Sequence, residues 1–511
     1  MLKDYLDRLR SGKDIKETLT EFKKLLKDRR IKEYETKVQV LREYTDCFEV
    51  LSKLLDDEDP KNRKNAALCL GLTADMLPDD ADTEGIVNKL FESYISDQTK
   101  YNKAAYLEAI GCFDYSCIKD KLIEERNEII TRDIAEEDKK HVLEEMSELN
   151  GLLRKDIEKP HEFTGFSLVN EAALLTNRNF KNITIKELGS IPHKEFTAGV
   201  MIKTKMLRKV MSGDCRTFSE ILFIPDNSVM LDPDADKAAE TLIANGLIEY
   251  IETRHSNPDA PFYFRVELRC KDEKNKANNE KKLASRLELY SKWKLINSVS
   301  DYDLEFRFIE NSTGKLQLLI GMHTLPDERF SYRKAAISAG MKPSLAALLI
   351  RLGADYIKEN SVVLDPVCGS GIFLIEREKY MHTQQMLYGI DIFGEAIEAA
   401  KKNICAAGYE DRVNLIKRDF FDFRHQYRFD EIIADMPRIT SGKNSSEIEN
   451  FYMRFFKKCK ELIKEQGRLF IYTHNRNVLR RYVLKEGYRI LNELEISKKE
   501  EAYYFILQYG G

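Results

Sequence analysis

Apolar residues recur every three or four positions through residues 1–155, in a background of Lys, Glu and Leu with few prolines. That spacing predicts helix after helix. Gly71, Gly111 and Gly151 close the helical stretches 63–71, 103–111 and 143–151, a period of 40 residues. Between 156 and 330 the pattern changes. β-branched and aromatic runs at 182–185, 199–202, 246–251, 262–268 and 316–320 predict strands, 234–245 and 281–295 predict helices, and the polar run 271–282 predicts a loop. From 331 onward short apolar strands (361–364, 386–390, 413–416, 429–434, 468–472) alternate with helices (373–380, 395–407, 448–463, 475–486), and 503–507 reads as a closing edge strand. Such alternation calls for a parallel sheet covered on both faces.

The expected fold is therefore multidomain. An all-α region spans 1–155, an α+β domain 156–330 and an α/β Rossmann-like domain 331–511. A chain of 511 residues suits three domains at ~150 residues each. A period of about 40 is the length of a two-helix repeat whose small residues let helices pack closely in a solenoid. The first region resembles HEAT repeats, most clearly at Asp59–Gly71. An irregular helical bundle with a chance glycine spacing is the alternative.

Composition narrows this picture. The chain is 43% hydrophobic and 33% charged, an ordinary balance for a globular protein. Nine cysteines form no Cys-x-x-Cys pair, which argues against a zinc site and a disulfide framework. No metal is expected. The N-terminus carries charge too early for a signal peptide, and no apolar run approaches ~18 residues. A reduced, cytoplasmic protein without a membrane anchor is expected. The net charge of −4 gives no global signal for nucleic acid, but basic patches can be local. Residues 265–345 hold such a cluster: Arg265, Arg269, Lys271, Lys274, Lys276, Lys281, Lys282, Arg333 and Lys334. It can hold phosphates; a solvated helix face explains it equally well.

The richest chemistry lies in Val362-Val363-Leu364-Asp365-Pro366-Val367-Cys368-Gly369-Ser370-Gly371, a strand, a tight turn and a helix start. Gly369 and Gly371 lack Cβ, so the backbone can turn sharply and a ligand can come close. Asp391 stands 20 residues past Gly371, at the end of the next strand, where an acid can accept hydrogen bonds from a ribose. Ile392 can pack on a base. Asp419 and Phe420 follow the third strand, and Asp435-Met436-Pro437-Arg438 the fourth. One acid at a strand end often only caps a helix. Four in order, each at a carboxyl end, point to a nucleotide-like ligand.

These residues resemble class I methyltransferases that use S-adenosylmethionine, over residues 331–511. The stretch Asp365–Gly371 is similar to the motif of enzymes that methylate exocyclic amino nitrogens of RNA bases. Ser331–Ala335 and Met341–Ala347 are similar to the lead-in of the THUMP-associated guanine-N2 methyltransferases. The resemblance implies a cofactor site of Ser344, Leu345, Asp365, Cys368, Gly369, Gly371, Asp391, Ile392, Asp419, Phe420 and Asp435. Ser344 and Leu345 would border its methionine end, and Asp419 and Phe420 its adenine. It further implies that Asp435 and Pro437 hold a target amino group beside an aromatic that stacks on the base.

This chain departs from that pattern: Met436 replaces a proline, and Arg438 the aromatic. A guanidinium can stack on a base or pair with phosphate. Guanine N2 of tRNA is the favoured target and rRNA the second. A protein partner could occupy the helical repeats. The alternatives are an impaired scaffold or RNA-binding pseudoenzyme, and a methyltransferase of protein Gln or Lys. Carbon-5 pyrimidine methylation needs a cysteine nucleophile, and Cys459 and Cys368 read as core and packing residues.

Overall fold

The structure, a computed structural model, describes residues 2–28, 47–77, 81–132, 134–154, 161–338, 340–437 and 445–510. The first part is helical: α1 (Leu2–Arg10), α2 (Ile15–Lys27), α3 (Cys47–Lys53), α4 (Pro60–Thr73), α5 (Thr83–Ser96), α6 (Lys103–Ile110), α7 (Lys119–Thr131) and α8 (Lys139–Arg154). Asp59 caps α4 by accepting from the Lys61 N–H (2.8 Å), and Pro60 fills the first turn. Helices α2, α4, α6 and α8 stack in sequence, and α1, α3, α5 and α7 each lean on the helix that follows them.

Two of the three evenly spaced glycines mark where the stacked helices approach. A Cβ on Gly71 would stand 2.9 Å from the Ala109 Cα, and one on Gly111 would stand 2.8 Å from the Leu152 Cδ2. Gly151 meets nothing. Arg63 ties the stack with a bidentate pair to Asp97 (2.9 and 2.8 Å), which also accepts from Asn102 and the Tyr106 hydroxyl (both 2.9 Å). Burial alone would raise the Asp97 carboxyl. The hydrogen bonds from Arg63 and Asn102 outweigh it and hold the carboxyl well below its usual range.

The middle part is one eight-stranded sheet. Its strands are β1 (Asn170–Thr176), β2 (His193–Phe196), β3 (Gly199–Thr204), β4 (Phe218–Phe223), β5 (Phe262–Arg269), β6 (Leu295–Asn297), β7 (Leu304–Glu310) and β8 (Leu316–Met322), in the order β2-β3-β1-β4-β8-β7-β5-β6. Its helices are α9 (Lys181–Leu188), α10 (Leu207–Met211), α11 (Ala235–Ala244), α12 (Leu247–Glu252) and α13 (Lys276–Tyr290).

Three sequence expectations fail here. Residues 182–185 are helix, because Thr184 and Leu188 sit four apart on one buried face. Residues 247–251 are helix too. Gly246 at φ +80 restarts the chain after α11, and Leu247, Tyr250 and Ile251 share a face. The polar run 271–282 already contains the exposed first turns of α13, whose buried face begins at Leu283. Just past α13, Trp293 takes φ +55 and buries its ring in the core of the N-terminal helices, joining the two parts.

The last part has strands β9 (Val363–Asp365), β10 (Leu387–Asp391), β11 (Val413–Lys417), β12 (Phe429–Asp435), β13 (Ile463–Thr473), β14 (Tyr488–Ser497) and β15 (Ala502–Tyr509). Their order is β11-β10-β9-β12-β13-β15-β14, with β9 to β13 parallel and β15 antiparallel to both neighbours. Helices α14 (Pro343–Leu352), α15 (Ile372–Tyr380) and α16 (Gly394–Ala406) cover one face, and α17 (Ser445–Leu462) and α18 (Arg476–Lys485) the other. This is a Rossmann-like sheet. The segment 503–507 is not an edge. It lies between β13 and β14 with Tyr504, Phe505, Ile506 and Leu507 fully buried, and the more polar β14 takes the edge. Among the described residues no helix is long and apolar enough to cross a membrane.

The middle sheet is fastened to this domain. Arg216 donates two bonds to Glu376 on α15 (2.9 and 2.6 Å), and the Tyr332 hydroxyl donates to the same carboxylate (2.6 Å). Asn177 and Asn179 donate to the carbonyls of Ile496 and Glu495 (2.8 and 3.0 Å).

Candidate active site

Strand β9 lies between β10 and β12, so the strand order reverses there. Ligands of such sheets bind beyond the carboxyl ends at that reversal. The turn that leaves β9 fits the purpose. Gly369 and Gly371 take φ +52 and +78, where a Cβ is strained. The Cys368 N–H donates to the Ile390 carbonyl (2.9 Å), which ties the turn to β10.

The same local device repeats at three strand ends. Asp365 accepts from the Val367 N–H (3.1 Å), Asp391 from the Phe393 N–H (2.9 Å) and Asp419 from the Phe421 N–H (2.9 Å). Each is a turn in which the acid bonds the backbone two residues on. Asp391 does more: its second oxygen accepts from the Gly369 N–H (2.9 Å) and so links two turns. Beside it Ile392 is 55% exposed, an open apolar surface at the mouth of the site. Phe420 is only 5% exposed and packs on Phe455, so little of its ring faces outward. Ser344 and Leu345, in the first turn of α14, are half-buried.

Burial pushes the Asp365 carboxyl well above its usual range, and the charges of Asp391 and Asp435 push the same way against the Val367 bond. The three acids at the ends of β9, β10 and β12 are therefore near enough to act on one another by charge. Cys368 and Cys459 are buried and their thiols are pushed well up by burial, so neither is a poised nucleophile.

On the other side of the reversal, Asp435 ends β12 opposite Tyr472 of β13. Met436 is buried and its N–H donates to the Tyr472 carbonyl (2.9 Å); Pro437 is exposed. Arg438 lies outside the described residues, as do Ser441, Gly442 and Lys443. Sequence reasoning missed the groups behind Asp435. The Tyr452 hydroxyl pairs with the Thr473 hydroxyl (2.6 Å) and accepts from Asn475 (3.3 Å). Burial pushes the Tyr452 hydroxyl up, and the charge of Asp435 adds to it. Only the polar cluster Thr473-His474-Asn475 after an apolar strand could have flagged them.

The basic cluster is partly spent on neighbours. Arg265 pairs with Glu305 (3.2 Å), Arg269 with Glu267 (3.0 Å) and Lys271 with Glu310 (3.8 Å). Lys274, Lys276, Lys281 and Lys282 make no ion pair among the described residues; Lys274 precedes α13 and the other three lie in its first two turns.

Sheet order, glycine turn and strand-end acids together define a methyltransferase domain of the Rossmann-like class. Residues 331–497 match the family described as RMKL-like, methyltransferase domain. Among curated proteins, a tRNA1(Val) (adenine(37)-N6)-methyltransferase of Vibrio campbellii is 26% identical over 150 residues, covering 27% of this chain and 62% of its own length. A tRNA (guanine(10)-N2)-dimethyltransferase of Methanothermobacter thermautotrophicus is 28% identical over 183 residues, covering 36% of this chain and 51% of its own length. The chain thus spans less than two thirds of these relatives. Among solved structures, TrmN from Thermus thermophilus is 17% identical, with a TM-score of 0.49, covering 66% of this chain and 99% of its own.

S-adenosylmethionine is the cofactor of this class of domain, and the residues present fit it. A Cβ on Gly369 would crowd Ile337 and one on Gly371 would crowd Ala400 and Ile404, so the two left-handed glycines keep the turn tight, and the acids gathered around the buried Asp365 suit a cationic ligand.

Proposed function

We propose that this chain is an S-adenosylmethionine-dependent methyltransferase acting on an exocyclic amino nitrogen of an RNA base, guanine N2 of tRNA first and rRNA second. One observation carries the reading: Asp365, Asp391 and Asp435 meet at the carboxyl ends of β9, β10 and β12 around a left-handed glycine turn. The two curated relatives act, by their names, on tRNA at adenine N6 and guanine N2. Both targets are exocyclic amino groups, which supports the chemistry without choosing the purine.

In this reading Asp365 and Asp391 hold the cofactor with Gly369, Gly371 and the packed Cys368. Ser344 and Leu345 border its methionine end, and Ile392, Asp419 and Phe420 its adenine end. When bound, it supplies a methyl group on a cationic sulfur, an activated leaving group. Asp435 and the Pro437 carbonyl accept the target N–H donors and aim the nitrogen lone pair. No strong base is needed, because positioning supplies most of the rate. Arg438 stacks on the base or pairs with phosphate.

The wider reading has three parts. Residues 1–155 form a HEAT-like solenoid open to RNA or a protein partner, 156–330 an α+β RNA-binding domain and 331–511 the catalytic domain. The serial stacking of α2, α4, α6 and α8 and the close approaches at Gly71 and Gly111 support the first. The lysines of α13 that make no ion pair among the described residues support the second. Work in the cytoplasm fits an RNA substrate.

The test is methyl transfer from labelled cofactor to transcribed tRNA and rRNA, with the nucleosides identified by mass spectrometry. N2-methylguanosine in tRNA is expected. N6-methyladenosine would move the target to adenine. Transfer to no RNA, with cofactor binding intact, would remove the RNA reading.

A further inference from the structure

The lead-in from the middle sheet, residues 331–338, does not simply connect two domains. It runs across the glycine turn. A Cβ on Gly369 would stand 3.2 Å from the Ile337 Cδ1, so this side chain lies over the turn. The segment is held near its start by the Tyr332 hydroxyl on Glu376, the carboxylate that also receives Arg216.

A second anchor lies on α16. Asn403 is fully buried on a face otherwise made of Ala396, Ile397, Ala399, Ala400 and Ile404. A leucine would serve that core as well, so an amide there has a cost unless it is used. It is used fully. Its Oδ1 accepts from the Ala335 N–H (2.9 Å), and its Nδ2 donates to the Ala335 carbonyl (2.9 Å) and the Ser370 carbonyl (3.0 Å). A primary amide is the side chain that can pair both backbone groups of one residue, as a neighbouring strand would. It also reaches Ser370, which lies between the two left-handed glycines.

We propose that Asn403 is a positioning residue of the methyl-donor site. It clips the lead-in at Ala335 to the glycine turn at Ser370, so that cofactor binding and seating of the lead-in are one coupled event. The inference rests on the reading of that turn as the cofactor site. Asn403 touches no reacting group.

The lead-in carries its own reporter, because Arg333 and Lys334 are exposed trypsin sites beside Ala335. The full chain, Asn403→Leu and the isosteric Asn403→Asp would be digested briefly with trypsin, well below their melting temperatures, with and without S-adenosylhomocysteine. Cleavage at Arg333 and Lys334 is compared with cleavage at Lys498 and Lys499 on the β14–β15 hairpin. Calorimetry gives the affinity for the same ligand.

The ligand is expected to protect Arg333 and Lys334 in the wild type. In Asn403→Leu that protection should vanish and affinity should fall roughly tenfold or more, as for lost hydrogen bonds of ~1.5 kcal/mol. Asn403→Asp keeps the bond from the Ala335 N–H and should fall between. If Asn403→Leu does not fold, Asn403→Asp decides. Folded variants with wild-type affinity and protection overturn the clip alone. A wild type that binds no S-adenosylhomocysteine overturns the cofactor reading itself, and the coupling with it.

Discussion

The two sides of the strand reversal in the catalytic domain are built differently. On the side proposed to hold the cofactor, Asp365, Asp391 and Asp419 each bond a backbone amide two residues on. The chemistry and its support come from the same few residues. On the side proposed to hold the substrate, Asp435 ends β12, its neighbour Met436 is held by β13, and the hydroxyl behind them comes from α17. There the support is tertiary. A locally built half survives divergence as a motif, whereas a half assembled from distant elements can change its residues one at a time. Met436 and Arg438 are where this chain departs from the pattern that the family resemblance implies.

The sharpest way to break this division is Asp435→Ala. Turnover should fall by about 100-fold or more, the scale of a lost positioning contact, while cofactor affinity stays within about tenfold. Single-turnover kinetics with calorimetry reads both; full turnover would dissolve the substrate-side assignment. Asp391→Ala should do the reverse. It removes a carboxylate that joins two turns, so the cofactor should weaken by roughly 1.5–3 kcal/mol, with turnover at saturating cofactor much less affected.

Asp365 sharpens the electrostatic side. Its carboxyl is raised above 3.8 by burial and by Asp391 and Asp435. The cofactor-free fold therefore keeps a proton that the unfolded chain releases, and stability falls as pH rises from 3.8 toward the raised value. Asp365→Asn removes that penalty. Without cofactor it should melt higher than the wild type at neutral pH, by about 2–4 °C for each kcal/mol gained. The gap should shrink as pH falls toward 4, and cofactor binding should suffer. A gap that does not vary with pH would contradict this. The smallest effect is expected for Tyr452→Phe, a loss of about 1 kcal/mol in stability with turnover falling more than cofactor affinity.

Much of the catalytic domain was legible. Its strands are short apolar runs between turn residues, and their ends carry acids whose partners lie two positions away. Helix α14 and strand β14 were not expected, and β15 was read as an edge because it closes the chain. Its apolar run instead belongs inside the sheet, and the polar β14 shields it. The middle sheet was read less well. Thr184 and Ile185 have strand propensity, but the four-residue spacing of buried positions across 184–188 prevails. Leu247–Glu252 follows a helix so closely that only the left-handed Gly246 separates them.

The sequence by itself determined a Rossmann-like domain, a tight glycine turn with acids at the strand ends and a helical first region. These depend on contacts between near neighbours, or on residues whose lack of a Cβ shows in their identity. Only the tertiary structure decided what lies over the turn and behind Asp435. Asn403 and Tyr452 act through partners 68 and 33 residues away for Asn403, and 21 for Tyr452. A buried amide or hydroxyl carries no periodic signal. Its meaning comes from the groups that satisfy its hydrogen bonds, and folding alone brings those together.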